Sequence, residues 1–300
     1  MSFGRLIGAA IVLTSGCYSP AAQDCSFTCN AGACPSGLHC VNKFCRDDPN
    51  ATDTCGGGGD DAGDARSDGS SGYSAQVLAS GPLGYWRLGE SMGTVAHDED
   101  SDLHAGTVTG AVTFGAPGAL LDSSTAAAFH NASMDCITVG DSPDMRFVGS
   151  GSTFTLEAWV RLSTAMPATL GYIISKSGYT TGEVGYALHI ATTGFAVFRT
   201  CNAAACDVMA SLNPLVPNQF YYLVATFNGP GNEARLFVNG VRVATKPITT
   251  TPSSTTAFVA IGCRDRNPTL DQFFDGVIDE VAVYNTVLAD SEILAHYQAR

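Results

Sequence analysis

In "ARLFVNGVRVAT", Asn239-Gly240 stands between two β-branched runs. This is the strongest short-range mark of a type I′ hairpin, since both central residues must take positive φ. The neighbouring sequence supplies more strands. "FTLEAWVRL" alternates Phe154, Leu156, Ala158 and Val160 against Thr155, Glu157, Trp159 and Arg161, the period of a half-buried strand. "FYYLVATFNG", "FVAIGCR" and "GVIDEVAVY" read as further strands, and "GFAVFRTCNAAACDVMAS" as two strands about a small loop. Many short strands with regularly spaced turn residues predict an all-β fold, a two-sheet antiparallel sandwich of jelly-roll type. One short helix is predicted from Asp290 to Gln298. There Leu288, Ile293, Leu294 and Tyr297 share a face, with Asp290 and Glu292 near the positive end.

This pattern occupies residues 73–300, and the chain before it is of another kind. "MSFGRLIGAAIVLTSGC" has one early cation, Arg5, then an apolar run ending in small residues, as an export signal does. It is too short to span a bilayer. Leu13 to Cys17 resembles a bacterial lipobox, with Thr14 where the motif prefers Leu. Residues 1–17 are therefore expected to be a lipoprotein signal, with Cys17 the lipid-bearing first residue of the mature chain. An ordinary secretory signal is the alternative. Tyr18 stands where Asp would resemble an inner-membrane retention signal, so an outer-membrane or cell-surface lipoprotein is expected, touching the membrane through its anchor alone.

The chain has eleven cysteines, so ten remain beside Cys17, an even number suited to an oxidising compartment. Cys25, Cys29, Cys34, Cys40, Cys45 and Cys55 fall in residues 18–55, a piece too small for an apolar core, so disulfides are expected to hold it. Zinc is the alternative, but the C-x2-C knuckles of zinc ribbons are absent. "CPSGLHCVNKFC" is similar to short EGF-like repeats of bacterial surface proteins. Residues 56–72, "GGGGDDAGDARSDGSSG", offer almost nothing to bury and read as a disordered acidic linker. Of the later cysteines, Cys201 and Cys206 are expected to form a local bridge, and Cys136 and Cys263 a long-range one. Acidic residues outnumber basic ones 28 to 15, and no Lys/Arg cluster offsets them, which argues against a nucleic-acid partner.

"GPLGYWRLGE", "HAGTVTG", "FTLEAWVRL", "FYYLVATFNG", "ARLFVNGVRV" and "FFDGVIDEVAVYNTVLADSEILAHYQ" occur in the order and spacing of laminin-G-like, concanavalin A-like jelly-roll domains. Residues 75–300 resemble that family, most specifically in the closing D-G-x-I-D-E-V-x-[VI]-Y-N run. The resemblance implies a jelly roll used mainly to bind carbohydrate or protein, often with one calcium ion. A glycan or an extracellular protein is thus the expected partner, and structural Ca2+ the expected cofactor. Its expected ligands are Glu90 of "WRLGE", Asp98 of "HDEDSD" and Asp279 of "VIDEV".

Asp98, Asp100 and Asp102 echo an EF-hand, but Leu103 stands at the sixth position and Thr109 at the twelfth, where Gly and Glu belong. Asp100 and Asp102 are expected simply to be solvated. Glycoside hydrolysis needs two carboxylates in one cleft, roughly 5–10 Å apart. The E-x-D-x-E run of related glucanases is absent, and Glu157 is a lone acid. Asp279 and Glu280 are adjacent, so alternation puts them on opposite faces, Asp279 with Val277, Val281 and Val283. No G-x-S-x-G occurs, and His104 is expected to make a loop hydrogen bond. A non-catalytic binding module is the expectation; a structural envelope lipoprotein and, less favoured, a glycoside hydrolase are the alternatives. Tyr172, Tyr179, Tyr186, Phe195 and Phe198 are expected in the core, with stacking on a sugar ring or packing against a protein partner the alternative. The sequence singles out no ligand-binding residue.

Overall fold

The computed structural model describes residues 39–41, 44–46, 72–163, 169–179, 181–267 and 269–300. The chain divides after Ala65 into two units. In the first, His39–Val41 pairs antiparallel with Phe44–Arg46, setting Cys40 opposite Cys45. The expectations for Cys17, Cys25, Cys29, Cys34 and Cys55, and for the side chains of Cys40 and Cys45, lie outside the described residues.

The second unit is a sandwich of two antiparallel sheets of eight strands each. Across the first sheet the order is Cys206–Ala210, Ala196–Asn202, Glu183–Ile190, Gly171–Tyr179, Val259–Ile261, Cys136–Val139, Gly106–Thr109 and Val95–Ala96. Across the second it is Val241–Pro247, Glu233–Val238, Phe220–Asn228, Thr153–Leu162, Gly276–Tyr284, Thr125–Phe129 and Thr113–Pro117, with Gly84–Trp86 also paired to Gly276–Tyr284. Phe154, Leu156, Ala158 and Val160 enter the core between the sheets as their alternation requires. There the Phe154 ring lies 4.7 Å from Phe147, 4.9 Å from Tyr186 and 5.0 Å from Phe227. Asn239 and Gly240 take φ of 53° and 75°, the signs a type I′ turn demands. No helix among the described residues is long and apolar enough to cross a membrane.

The other face of "FTLEAWVRL" departs from the half-buried expectation: Glu157 and Trp159 are fully buried. Two helices cover them, α1 (Gly72–Ala79) and α2 (Asp290–Gln298). α2 matches its predicted span. α1 was not expected, because it is short, begins at glycine and has no acidic residue in its first turn. It is held by burial of Tyr73 and Val77, four residues apart on one face, in a second apolar cluster with Trp159, Tyr222, Tyr284 and Ile293. Under the helices the Glu157 carboxylate accepts hydrogen bonds from Tyr73 Oη at 2.6 Å and Tyr284 Oη at 3.0 Å. It also lies 3.2 Å from His296 Nδ1 of α2, whose Nε2 meets Ser80 Oγ at 3.1 Å. One acid thus ties both ends of the domain to the sheet.

Two disulfides are present in this unit. Cys136–Cys263 links positions 127 residues apart, and Cys201–Cys206 joins directly opposed residues of a hairpin.

Candidate functional site

Asp279 and Glu280 lie at a β-bulge. The strand Gly276–Tyr284 pairs with Thr153–Leu162 through Asp279 opposite Trp159, then resumes with Ala282 opposite Glu157, one residue longer than its partner. Glu280 absorbs the extra residue with φ of 51°. Ile278, Val281 and Val283 therefore face the core, while both acids lie toward the helix-covered side. This corrects the expected split onto opposite faces, because a bulge shifts the period of two by one residue.

Both acids are buried. Glu280 accepts hydrogen bonds from Tyr85 Oη and from Arg87 Nε, the latter at 3.1 Å. Asp279 Oδ2 accepts the Ala119 amide at 2.7 Å, but its Oδ1 is buried without a partner. Burial, then the Glu280 charge, pushes the Asp279 carboxyl well above the usual range, and Asp122 adds to that push. Asp122 Oδ2 and Ser124 Oγ are likewise buried and unpartnered. A methyl group built on Gly118 would meet Asp279 Oδ2 at 2.9 Å and the Ser124 carbonyl at 2.7 Å, so this loop presses against the acid. Buried oxygens without partners are the exception in a folded domain, and carboxylate and hydroxyl oxygens are the donor type that divalent cations take.

Glu90, Asp98 and Asp279 do not bring their ligand atoms together as a trio. Among the described residues, the one trio of His, Cys, Asp or Glu side chains with ligand atoms within 4.8 Å of one another is Glu183, Cys201 and Cys206, and its cysteines are disulfide-bonded. The expected Glu90–Asp98–Asp279 ligand set is corrected to this extent: the three do not form one cluster, and loop amides engage both Asp98 oxygens, whereas Glu90 Oε2 and Asp279 Oδ1 are each buried without a partner. Asp98 accepts the Tyr85 amide at 2.9 Å and the His104 amide at 3.2 Å, and Glu90 accepts the His97 amide at 2.8 Å. His104 stands between Asp98 and Asp144, at 3.4 and 3.3 Å, and its carbonyl accepts Trp86 Nε1 at 2.8 Å, a loop-pinning role.

The outer face of the first sheet is filled at its centre and open to one side. Tyr172 and His189 stack there at 4.9 Å, both buried. The hairpin formed by Arg264–Asp265 and Leu270–Asp271 covers them, with Arg264 5.2 Å from the Tyr172 ring and paired to both Asp271 oxygens. Burial, with Arg199 and Arg264 nearby, holds His189 down at about 3, so it stays neutral. Tyr186 and Phe198 are core residues, whereas Tyr179 is 49% exposed beneath Arg266, correcting its expected core placement. Phe195 is half-buried. Beside the hairpin lies a groove of about 370 Å³ lined by Thr109, Thr138, Thr256, Phe258, Asp265, Asn267 and Leu270. Thr109 and Thr138 reach it because Val108 and Ile137, their strand neighbours, point into the core.

The profile of the concanavalin A-like lectin/glucanases superfamily, Laminin_G_3, matches residues 131–294. The chain belongs to this superfamily. Among solved structures, it is similar to the binding domain of Paraclostridial Mosquitocidal Protein 1, at 13% identity and TM-score 0.57, over 72% of this chain and 51% of that one. It is similar to the botulinum neurotoxin serotype D ligand binding domain in complex with N-acetylneuraminic acid, at 13% identity and TM-score 0.55, over 75% of this chain and 52% of that one. Domain 4 of the Geobacillus stearothermophilus extracellular arabinanase AbnA, in complex with arabinotriose, matches at 15% identity and TM-score 0.55, over 72% of this chain and 98% of that one. At such identities the likeness is one of fold, and the chain spans about half the length of the toxin domains. The curated proteins contain no match to this sequence.

A superfamily that includes both lectins and glucanases makes the position of the acids decisive. Glu157, Asp279 and Glu280 are all at most 1% exposed, so a substrate reaches none of them. The groove residues were missed in the sequence. Phe258 immediately precedes the strand Val259–Ile261, beside fully buried Val259, and only its 45% exposure separates it from a core phenylalanine.

Proposed function

We propose that this domain is a non-catalytic carbohydrate-binding module of an exported, lipid-anchored surface protein, supported by one calcium ion. The open groove carries the reading. Hydroxyls, an amide and an exposed aromatic ring around about 370 Å³ make a surface of the size and chemistry that small ligands occupy. The anchor at Cys17 and export rest on the signal-like residues 1–17. A glycan array probed with the full chain, with calcium and with EDTA, tests the proposal. Retention of a glycan supports it, and no retention on either array turns the search to an extracellular protein partner. The filled centre of the first sheet's outer face favours a second reading, a structural envelope lipoprotein, which predicts that same blank array.

Calcium would be held by Asp279 Oδ1, Asp122 Oδ2 and Ser124 Oγ, three of the buried oxygens without partners. Its charge would keep these carboxylates ionised and tie the 118–124 loop to the bulge. Excess calcium over EDTA is expected to raise Tm by about 5–10 °C, the effect of a ligand about 100-fold above its Kd on a domain this large. Asp279→Asn should abolish that response. An identical Tm in calcium and EDTA would remove the metal from the proposal.

A further inference from the structure

We propose that the groove beside Phe258 takes an uncharged saccharide and discriminates against acidic glycans, an inference that rests on the carbohydrate-binding reading. A sugar ring has a C–H face and a rim of hydroxyls, so its site needs an aromatic surface beside neutral hydrogen-bonding groups. The groove has both. Phe258 is 45% exposed, and an aromatic ring left this open at the mouth of a cavity offers a stacking surface. Thr109, Thr256 and Asn267 are exposed around it, and among the described residues none pairs with their side-chain hydroxyls or amide. These groups donate to and accept from sugar hydroxyls without carrying charge.

The electrostatics select the class. The groove lining contains no lysine or arginine, and its one ionisable group is Asp265. That carboxylate is 4% exposed and fixed by the Phe258 amide at 2.8 Å and the Asn267 amide at 2.6 Å. Each oxygen keeps a lone pair that can accept a sugar hydroxyl, whereas a carboxylate or sulfate on the ligand would meet like charge. The Arg266 guanidinium is engaged elsewhere, 4.4 Å from the Tyr179 ring and 3.5 Å from Asp271. Lys176, whose charge interacts with Asp265, is 1% exposed and held by Asp141 at 2.7 Å and the Ala257 carbonyl at 2.8 Å. Arg264 is held by Asp271. The net charge of −13 acts in the same direction.

The test is a microarray of matched oligosaccharides with and without an acidic substituent, lactose with 3′-sialyllactose among the pairs. Calorimetry then follows on the tightest member with the full chain and its Phe258→Ala and Thr109→Val variants. Neutral members should bind at least tenfold more tightly than their acidic counterparts. Phe258→Ala should weaken binding about tenfold or more, equal to about 1.4 kcal/mol, and Thr109→Val severalfold, with Tm unchanged in both. Preference for the acidic members, or unchanged affinity in both variants, overturns the inference while the carbohydrate-binding reading stands. Binding to no glycan of either kind ends both.

Discussion

Glu157→Ala is expected to destabilise the domain by about 3–5 kcal/mol, read from urea unfolding, the range for removing one partner of a buried ion pair. The substitution leaves the Tyr73 and Tyr284 hydroxyls and the His296 ring buried without their shared acceptor. Loss of two such hydrogen bonds is itself costly, because the orphaned groups keep their desolvation penalty. Glu157→Gln, which retains an acceptor, should cost less. The pair also sets a pH dependence. Burial pulls the His296 imidazolium down, but the Glu157 hydrogen bond and charge, with help from Glu292, outweigh it and leave the group raised. Its folded pKa lies above its unfolded value near 6.5. The stabilisation is therefore complete below that value and fades as pH rises through the folded one. Stability of the wild-type domain should fall on going from pH 6 upward, and the part of the fall that disappears in His296→Gln measures the pair. A His296→Gln variant with the wild-type pH profile would show that the ring stays neutral.

Replacing Cys136 and Cys263 together by serine is the second large effect, about 4–5 kcal/mol by the loop-entropy argument for a 127-residue span. The five-residue Cys201–Cys206 bridge should contribute about 2 kcal/mol on the same argument. Urea titrations of the two double variants give the comparison directly. Equal losses would mean that chain entropy is not what the long bridge supplies.

The sandwich was legible in the sequence wherever one residue's neighbours decide its conformation. Asn239-Gly240 announces its turn because few residue pairs accept two positive φ values. Phe154 to Val160 show their core face through strict alternation. Reading failed where a single backbone event redirects several side chains. The extra residue at Glu280 turns Asp279 and Glu280 to one side, and nothing in "VIDEV" distinguishes that bulge from a regular strand. α1 was invisible because tertiary burial of Tyr73 and Val77, not local propensity, makes it helical. The expected calcium ligands followed a motif, but Asp98 serves loop amides in the fold, and beside the orphaned oxygens of Glu90 and Asp279 stand those of Asp122 and Ser124, on a loop without a motif. Phe258 could not be told from its buried neighbours, since exposure depends on what the hairpin at Arg264 leaves uncovered.

The meeting of α1 and α2 has an architectural consequence. A methyl group at Gly72 would sit 3.8 Å from the Ala299 carbonyl, so the domain begins and ends at nearly one point. That point lies on the outer side of the second sheet, whereas the groove opens on the outer side of the first. A domain with adjoining ends can be spliced into a loop of another protein, or given new ends elsewhere, with little rearrangement. It is a cassette whose seam lies on the side away from the groove, and Tyr73–Glu157–His296 is the rivet that keeps the seam shut.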